Sequence, residues 1–211
     1  IMDSVIALLP MKAHSERVPG KNFKLLGDKP LFRWILDSLL SVDAIDGVII
    51  NTDARELLEA AGLPATKRLL IRDRAADLCG DFVSMNKIIQ DDLENSDATT
   101  YLMTHTTNPL VSSDTVKNAL AAFQEAREES RADSLFTVNK IQTRFYRSDG
   151  SPVNHDPDNL VRTQDLEPWY DENSNLYIFK GHSFASIVAR IGSKPMMFET
   201  PKLEAIDIDT P

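Results

Sequence analysis

Short apolar runs alternate with stretches of helical period from residue 4 to residue 138, and this alternation constrains the fold more than any other feature. The first run, Val5 to Leu9, ends at Pro10. Gly47 precedes Val48-Ile49-Ile50, which empties into Asn51-Thr52-Asp53. Arg68–Ile71, Thr100–Thr104 and Ser134–Val138 complete a set of five expected strands. Between them, Pro30 opens a segment with a broad apolar face (Leu31, Phe32, Trp34, Ile35, Leu36, Leu39, Leu40), and Ala54–Ala61 is ended by Gly62 and Pro64. Asp81 or Ser84 is placed to cap a helix that buries Ile88, Ile89 and Leu93. Another helix, starting at Ser113, carries Val116, Leu120 and Phe123 on one face. Such βαβ units imply an α/β fold, a mostly parallel sheet with helices on both faces. Ligands of these sheets bind beyond the carboxyl ends of the strands, so the loops beginning at Lys12, Asn51, Arg72 and His105 are expected on one rim.

The pattern changes near residue 139. Asp149-Gly150, flanked by Thr143–Arg147 and Pro152–Val153, reads as a hairpin within a β-rich arm. Strand character returns over Asn175–Phe179, helix over His182–Ala189 and strand over Pro195–Phe198. The domain reading is therefore a core of residues 1–138 and 175–211 with an arm inserted at 139–174. A last strand is expected at Leu203–Asp209, where alternation puts Ile206 and Ile208 on one face and both carboxylates on the other. Thr210-Pro211 reads as the cap and first residue of a helix that would follow residue 211.

Composition narrows the function classes. The chain has 211 residues and 42% hydrophobic residues, enough for one domain with a proper core. Its net charge of -9 argues against a nucleic-acid surface, which needs a basic field. No apolar run approaches the roughly 20 residues that cross a bilayer. The opening IMDSVIALLP reads as a strand rather than a secretory leader. The single cysteine, Cys79, rules out an intrachain disulfide and fits a cytoplasmic setting.

Against that acidic background stands one basic loop. Lys12, Arg17, Lys21 and Lys24 follow the first strand, interleaved with Ser15, Gly20 and Asn22. A cationic loop at a strand exit suits a polyphosphate, although on charge alone a solvated surface loop is the commoner occurrence. GxxxxGK[ST] and GxGxxG are both absent, which excludes the nucleotide P-loop and the dinucleotide fingerprint. Arg17 suits bidentate phosphate contact, and Gly20 admits close backbone approach. Asp207 and Asp209 suit a hard divalent cation such as Mg²⁺, while an exposed strand with solvated acids is the bland alternative.

Six stretches, in order along the chain, carry a resemblance. Lys12-Ala-His-Ser-Glu-Arg-Val-Pro-Gly-Lys-Asn22 resembles R-x-x-S-x-x-x-P-x-K-N, and Asn51-Thr52-Asp53 resembles S-T-D. Arg74 to Asp81 resembles R-P-x-E-L-A-x-D, and His105 to Leu110 resembles Q-P-T-S-P-L. Asn173 to Ile178 resembles N-G-A-I-Y-I, and Ile206-Asp-Ile-Asp-Thr210 matches I-D-I-D-T. These are motifs of the sugar-acid cytidylyltransferases, the CMP-sialic acid synthetases, with features of the CMP-Kdo branch in the first loop. The resemblance implies a three-layer nucleotide-binding sheet with an inserted dimerisation arm. It also implies Mg²⁺-dependent transfer of CMP from CTP to the anomeric hydroxyl of a 2-keto-3-deoxy sugar acid, with no nucleic-acid or membrane partner.

Under that resemblance Lys12, Arg17 and Lys21 hold the phosphates, Ser15, Asn22, Arg74 and Ser84 contact the nucleotide, and Asp207 and Asp209 hold the metal. His105 and Asn173 fall at the sugar site, and Arg144 and Arg162 are candidates for the basic residues that the arm lends to a neighbouring subunit. Simpler roles stand beside these: a turn for Asn22, a surface cation for Arg74, a helix cap for Ser84, a satisfied structural imidazole for His105. The chain departs from the pattern at Lys12 (usually arginine), Glu16 (often lysine) and His105 (often glutamine), which leaves the acid sugar open. The rival functions are a glycosyltransferase-like domain that uses Asp53 for metal, and a non-catalytic nucleotide-sugar-binding module.

Overall fold

The computed structural model describes residues 3–210. At its centre is a strand buried on both sides, β1 (Val5–Leu8). A two-residue hairpin, β2 (Leu25–Leu26) with β3 (Lys29–Pro30), turns at Gly27, whose φ of 68° suits glycine, and leads into α1 (Leu31–Leu40). Then come β4 (Gly47–Thr52), α2 (Arg55–Ala61), β5 (Leu69–Asp73), α3 (Met85–Glu94) and β6 (Thr100–Met103). The second half holds α4 (Ser113–Glu128), β7 (Ser134–Ile141), β8 (Trp169–Lys180), α5 (Gly181–Ile187) and β9 (Pro195–Glu199). The seven-stranded sheet has the order β5-β4-β1-β6-β8-β7-β9. β8 is antiparallel to both its neighbours, and every other pairing is parallel, so β8 alone runs against the rest.

The continuous apolar runs follow from burial on both faces. Successive residues of a strand point to opposite sides, and here both sides are covered. Ala7, Ile50, Leu102 and Ile178 face Phe32 and Leu36 of α1, Leu58 of α2 and Leu120 and Phe123 of α4. Their neighbours Leu8, Ile49, Met103 and Phe179 face Ile89 of α3 and Phe184 of α5. The expected three layers are therefore present.

Three expectations are corrected. The returning strand begins at Trp169, not Asn175, because β7 and β8 continue past the sheet as a ribbon, pairing Val138 with Glu172 through Ile141 with Trp169 after an irregularity between Phe136 and Val138. The arm is β-rich only along that ribbon. Over 142–168 the Asp149-Gly150 turn is present, with Arg147 N donating to Ser151 O at 2.9 Å, but only Tyr146 and Pro152 form a bridge. Third, Leu203–Asp209 is not a strand. Lys202–Ala205 is a 3₁₀ turn, and the segment after it makes no ladder, because loop groups hold it instead. Ile208 N donates to Thr107 O (2.8 Å) and Asn108 Nδ2 to Ile206 O (3.3 Å). Ile206 is 47% exposed, so its alternation with the acids marked no buried face. The helix expected from Pro211 lies outside the described residues. Among those residues no helix is long and apolar enough to cross a membrane.

Candidate active site

The carboxyl ends of β1, β5 and β6 open onto a cleft of about 260 Å³, lined among others by Lys12, Ser15, Lys21, Asn22, Arg74 and His105. The chain leaves β1 without losing its neighbour: Met11 N donates to Asn51 O (3.0 Å), and Met11 bridges Thr52. Asp53 pins the next loop by accepting from Ala13 N at 2.7 Å. Ser15 Oγ accepts from Val18 N (3.4 Å), and Gly20, at φ 65°, starts the turn Lys21–Phe23 that sends Lys21 inward. Lys12 pairs with Asp81 across the cleft mouth and holds that carboxyl below its usual range.

Asn22 is a clamp between two loops. Its Nδ2 donates to Lys12 O (3.0 Å), and its Oδ1 accepts from Thr106 Oγ1 (2.6 Å). Buried polar groups are kept only when paired in this way. Arg74, half-buried, donates from Nε to Asn51 Oδ1 (2.9 Å) and from Nη2 to the carbonyls of Asn51 (2.9 Å) and Met11 (3.2 Å). Burial lowers its pKa, against the pull of nearby Asp53, Cys79 and Asp92.

On the rim, Asp209 receives Lys21 Nζ at 3.4 Å and Arg17 Nη2 at 3.2 Å. Burial works against ionising Asp209, yet hydrogen bonds from Lys21 and Asp207, with the charges of Lys21 and Arg17, hold it below its usual range. Burial pushes Asp207 up, opposed by a Thr107 hydrogen bond and reinforced by the negative charge of Asp209. Each carboxyl bears on the ionisation of the other. Thus the paired acids expected from alternation do come together, held by loop contacts rather than by a strand.

His105 sits deep in the cleft. Burial first, and the charge of Arg190 second, lower its pKa to about 4, so the ring is neutral at pH 7. The residue lines the cleft beside Thr106 and Thr107. Arg190 itself lies over the Tyr177 ring at 4.1 Å.

Four expected site residues lie elsewhere. Ser84 caps α3, accepting from Asn86 N, and borders an adjoining cleft of about 410 Å³ with Glu172 and Arg190. Asn173 donates to Asn139 Oδ1 (3.0 Å) and Thr200 Oγ1 (2.7 Å) and accepts from Asn175 N (3.1 Å). Arg144 donates to Val161 O and Arg162 pairs with Asp165, both on the arm and neither lining the cleft. A larger cleft of about 540 Å³ between α3 and α5, with Glu94, Tyr101 and His182, contains none of the expected residues.

Sequence reasoning missed Asp92 altogether, took Asp81 for a possible helix cap rather than the partner of Lys12, and gave Thr106 no role of its own. Asp92 is 1% exposed on α3, between Ile89 and Leu93. An acid within an apolar face was a signal that something basic must meet it.

The sequence model of a family described as "Cytidylyltransferase" matches residues 6–200. Among curated relatives, the pseudaminic acid cytidylyltransferase of Campylobacter jejuni is 25% identical, over 97% of this chain and 90% of its own length. The CMP-N,N'-diacetyllegionaminic acid synthase of Legionella pneumophila is 25% identical, over 98% and 91%. Among solved structures, CMP:2-keto-3-deoxy-manno-octonic acid synthetase complexed with CTP superposes with a TM-score of 0.67 at 14% identity, covering 99% of this chain and 94% of that one. The 4-diphosphocytidyl-2C-methyl-D-erythritol synthase of Anaerococcus prevotii gives 0.69 at 11% identity, over 100% and 94%, and both structures support the fold alone. With the family's model spanning the core, the cleft and the arm, the chain belongs to the cytidylyltransferase family.

Proposed function

We propose that the protein transfers CMP from CTP to the anomeric hydroxyl of a 2-keto-3-deoxy sugar acid of the nonulosonic class, the class named in the pseudaminic, legionaminic and N-acylneuraminic relatives. The observation that carries this reading is the convergence of Lys12, Lys21 and Arg74 in one cleft at the sheet's carboxyl rim, with the Asp207/Asp209 pair at its edge. The hydroxyl oxygen bonds to the α-phosphorus, the bond to the β-phosphate oxygen breaks, and pyrophosphate leaves with that electron pair while the hydroxyl proton passes to solvent. Lys12 and Lys21 neutralise the charge that grows on the leaving pyrophosphate, Arg17 reaching in from the rim. Ser15 and Asn22 shape the nucleotide side of the cleft, and Ser84 acts through the start of α3.

Asp207 and Asp209 fit Mg²⁺. The negative charge of Asp209 works against ionising Asp207, and a cation beside both would relieve that, although no cluster of three or more ligating side chains occurs among the described residues. A hard ion that keeps waters and takes oxygens from the triphosphate needs no more than two protein carboxylates. When bound, the ion withdraws charge from the α-phosphate.

Neutral His105 offers a donor and an acceptor to the sugar, and Asn173 braces the strand beside it. Arg144 and Arg162 belong to the reading only if a second copy of the chain brings its arm to this site, so a homodimer is part of the proposal. The exposed Tyr146, Leu160, Val161, Trp169 and Tyr170 on or beside the arm support it. The glycosyltransferase-like reading needs Asp53 for metal, whereas one of its carboxylate oxygens already accepts from Ala13 N. The test is pyrophosphate release from CTP and Mg²⁺ with pseudaminic, legionaminic, N-acetylneuraminic and Kdo acids. Release is expected with at least one nonulosonic acid and weaker or none with Kdo; silence with every acid would overturn the reading.

A further inference from the structure

The adjoining cleft of about 410 Å³ meets the first one at Met85, which lines both. Arg190 and Glu172 line it together, a cation and an anion in one space. The ring of Tyr177 stands between their anchor points. The Arg190 guanidinium lies over the Tyr177 ring, 4.1 Å from its centroid, and Nη1 donates to Met103 Sδ at 3.5 Å. The Tyr177 hydroxyl donates to Glu172 Oε1 and meets Ser174 Oγ at 3.0 Å. These contacts engage one guanidinium nitrogen and one carboxylate oxygen, and all of those partners are uncharged. A guanidinium has five N–H donors and a carboxylate two acceptor oxygens, so both side chains keep capacity for a guest.

The backbone sets the place of the cation. α5 ends at Val188, whose φ of 52° lies in the left-handed region that β-branched residues rarely enter. Its N–H donates to Phe184 O at 2.6 Å, and two residues later Arg190 reaches Met103 of β6. Such strain persists only where the surrounding structure holds it. The charge of Arg190 is also felt at His105, at the bottom of the first cleft.

The transfer chemistry decides which part of the sugar can come here. The attacking hydroxyl sits on the carbon that bears the carboxylate, so both stay with the triphosphate in the first cleft. Only the end of the sugar remote from that carbon extends past Met85. A donor and an acceptor held apart by a tyrosine ring suit an amide, whose carbonyl accepts and whose N–H donates from different atoms. An anionic substituent would meet Glu172, and a cationic one Arg190. A hydroxyl offers both functions from a single atom and spans the two side chains poorly.

We propose that Arg190 and Glu172 form a subsite for an amide substituent at the remote end of the sugar acid. Arg190 donates to its carbonyl oxygen, and Glu172 accepts from its N–H. The inference rests on the transfer reading and narrows its substrate to acylamido acids.

The test uses matched pairs of nonulosonic acids, each acylamido acid beside the counterpart that carries a hydroxyl in its place. For every pair, kcat/KM is measured on wild type, Arg190→Leu, Arg190→Lys and Glu172→Ala, with KM for CTP and Tm on each protein. Wild type is expected to prefer the amide of at least one pair by about tenfold or more. In Arg190→Leu and in Glu172→Ala that preference should shrink to about threefold or less, through loss on the amide acid, with KM for CTP near wild type. Arg190→Lys, which keeps charge and donors without the planar fork, should recover part of it. A preference that survives either Arg190→Leu or Glu172→Ala, or a wild type that turns over both members of every pair equally, would overturn the inference and leave the transfer reading intact. Should Arg190→Leu fail to fold, Arg190→Gln carries the same expectation. Silence of the wild type with every acid would overturn both.

Discussion

His105 is the residue whose chemistry is most altered by its surroundings. Its pKa of about 4, set by burial and then by Arg190, lies below the usual 6.5 of the unfolded chain. The unfolded state therefore binds one more proton than the folded state between those two values. Stability contributed by this site is intact above pH 6.5 and falls as pH drops toward 4, by roughly 3 kcal/mol at full extent. Replacing His105 with glutamine should flatten that part of the stability profile, measured by urea unfolding at pH 7.5, 6, 5 and 4.5. An unchanged slope between pH 6.5 and 4.5 would place the titration elsewhere. The acids on the rim make a second residue-scale prediction. Asp207→Asn removes a charge from the pair, so Mg²⁺-dependent turnover should drop about 100-fold or more, comparable to losing one preorganised charge-stabilising contact. Retained turnover at wild-type Mg²⁺ dependence would remove Asp207 from the metal site.

At the scale of elements, the segment that delivers those acids is tethered rather than paired. Glu204 accepts from Ser112 N and from Thr115 Oγ1 (2.9 Å), so the 3₁₀ turn before Asp207 is tied to the start of α4. Glu204→Ala should lower kcat several-fold for a loss of about 1 kcal/mol in stability, a shift of roughly 2–4 °C in Tm at this size. Glu204→Gln, which retains acceptor capacity, should recover most of the activity; equal loss in both variants would argue against the tether. Ser112 caps α4 by accepting from Thr115 N (3.1 Å), and Ser112→Ala should cost about 1 kcal/mol in chemical denaturation. These elements also show what the sequence carried. Continuous apolar runs mark doubly covered strands, so β1, β4 and β6 and the rim they form were legible from Val5, Val48 and Thr100 onward. Alternation in Ile206-Asp207-Ile208-Asp209 misled because period two records only which way side chains point along extended chain. It does not say whether a neighbouring strand exists. The pairing of Asn22 with Thr106 and of Asn51 with Asp92 depended on contacts across 84 and 41 residues, which no local pattern encodes.

At the scale of the whole molecule, the ribbon of β7 and β8 carries the inserted segment beyond the sheet. Phe145 stacks on Trp169 at 5.2 Å, and Trp169 remains 41% exposed on its other side. A large aromatic left half open beside Tyr170 and Val161 is the patch that the proposed homodimer would cover. Light scattering after size exclusion should report a dimer, and Trp169→Glu should shift it toward monomer and reduce turnover together. A monomeric wild type with full activity would refute the part given to Arg144 and Arg162. The break in pattern near residue 139 was readable as a departure from helical period. The start of the returning strand was misplaced because the ribbon mixes polar and apolar residues, with Lys140 opposite Tyr170 and Asn139 opposite Asp171, and so lacks the continuous apolar run of a covered strand.

The Lys21–Asp209 contact joins residues 188 positions apart. Asp209 also meets Arg17, so one carboxylate from the end of the described chain is the counter-charge of two cations at its beginning. A polyanion that takes those cations must displace it, which sets the acid free at the moment the cleft fills.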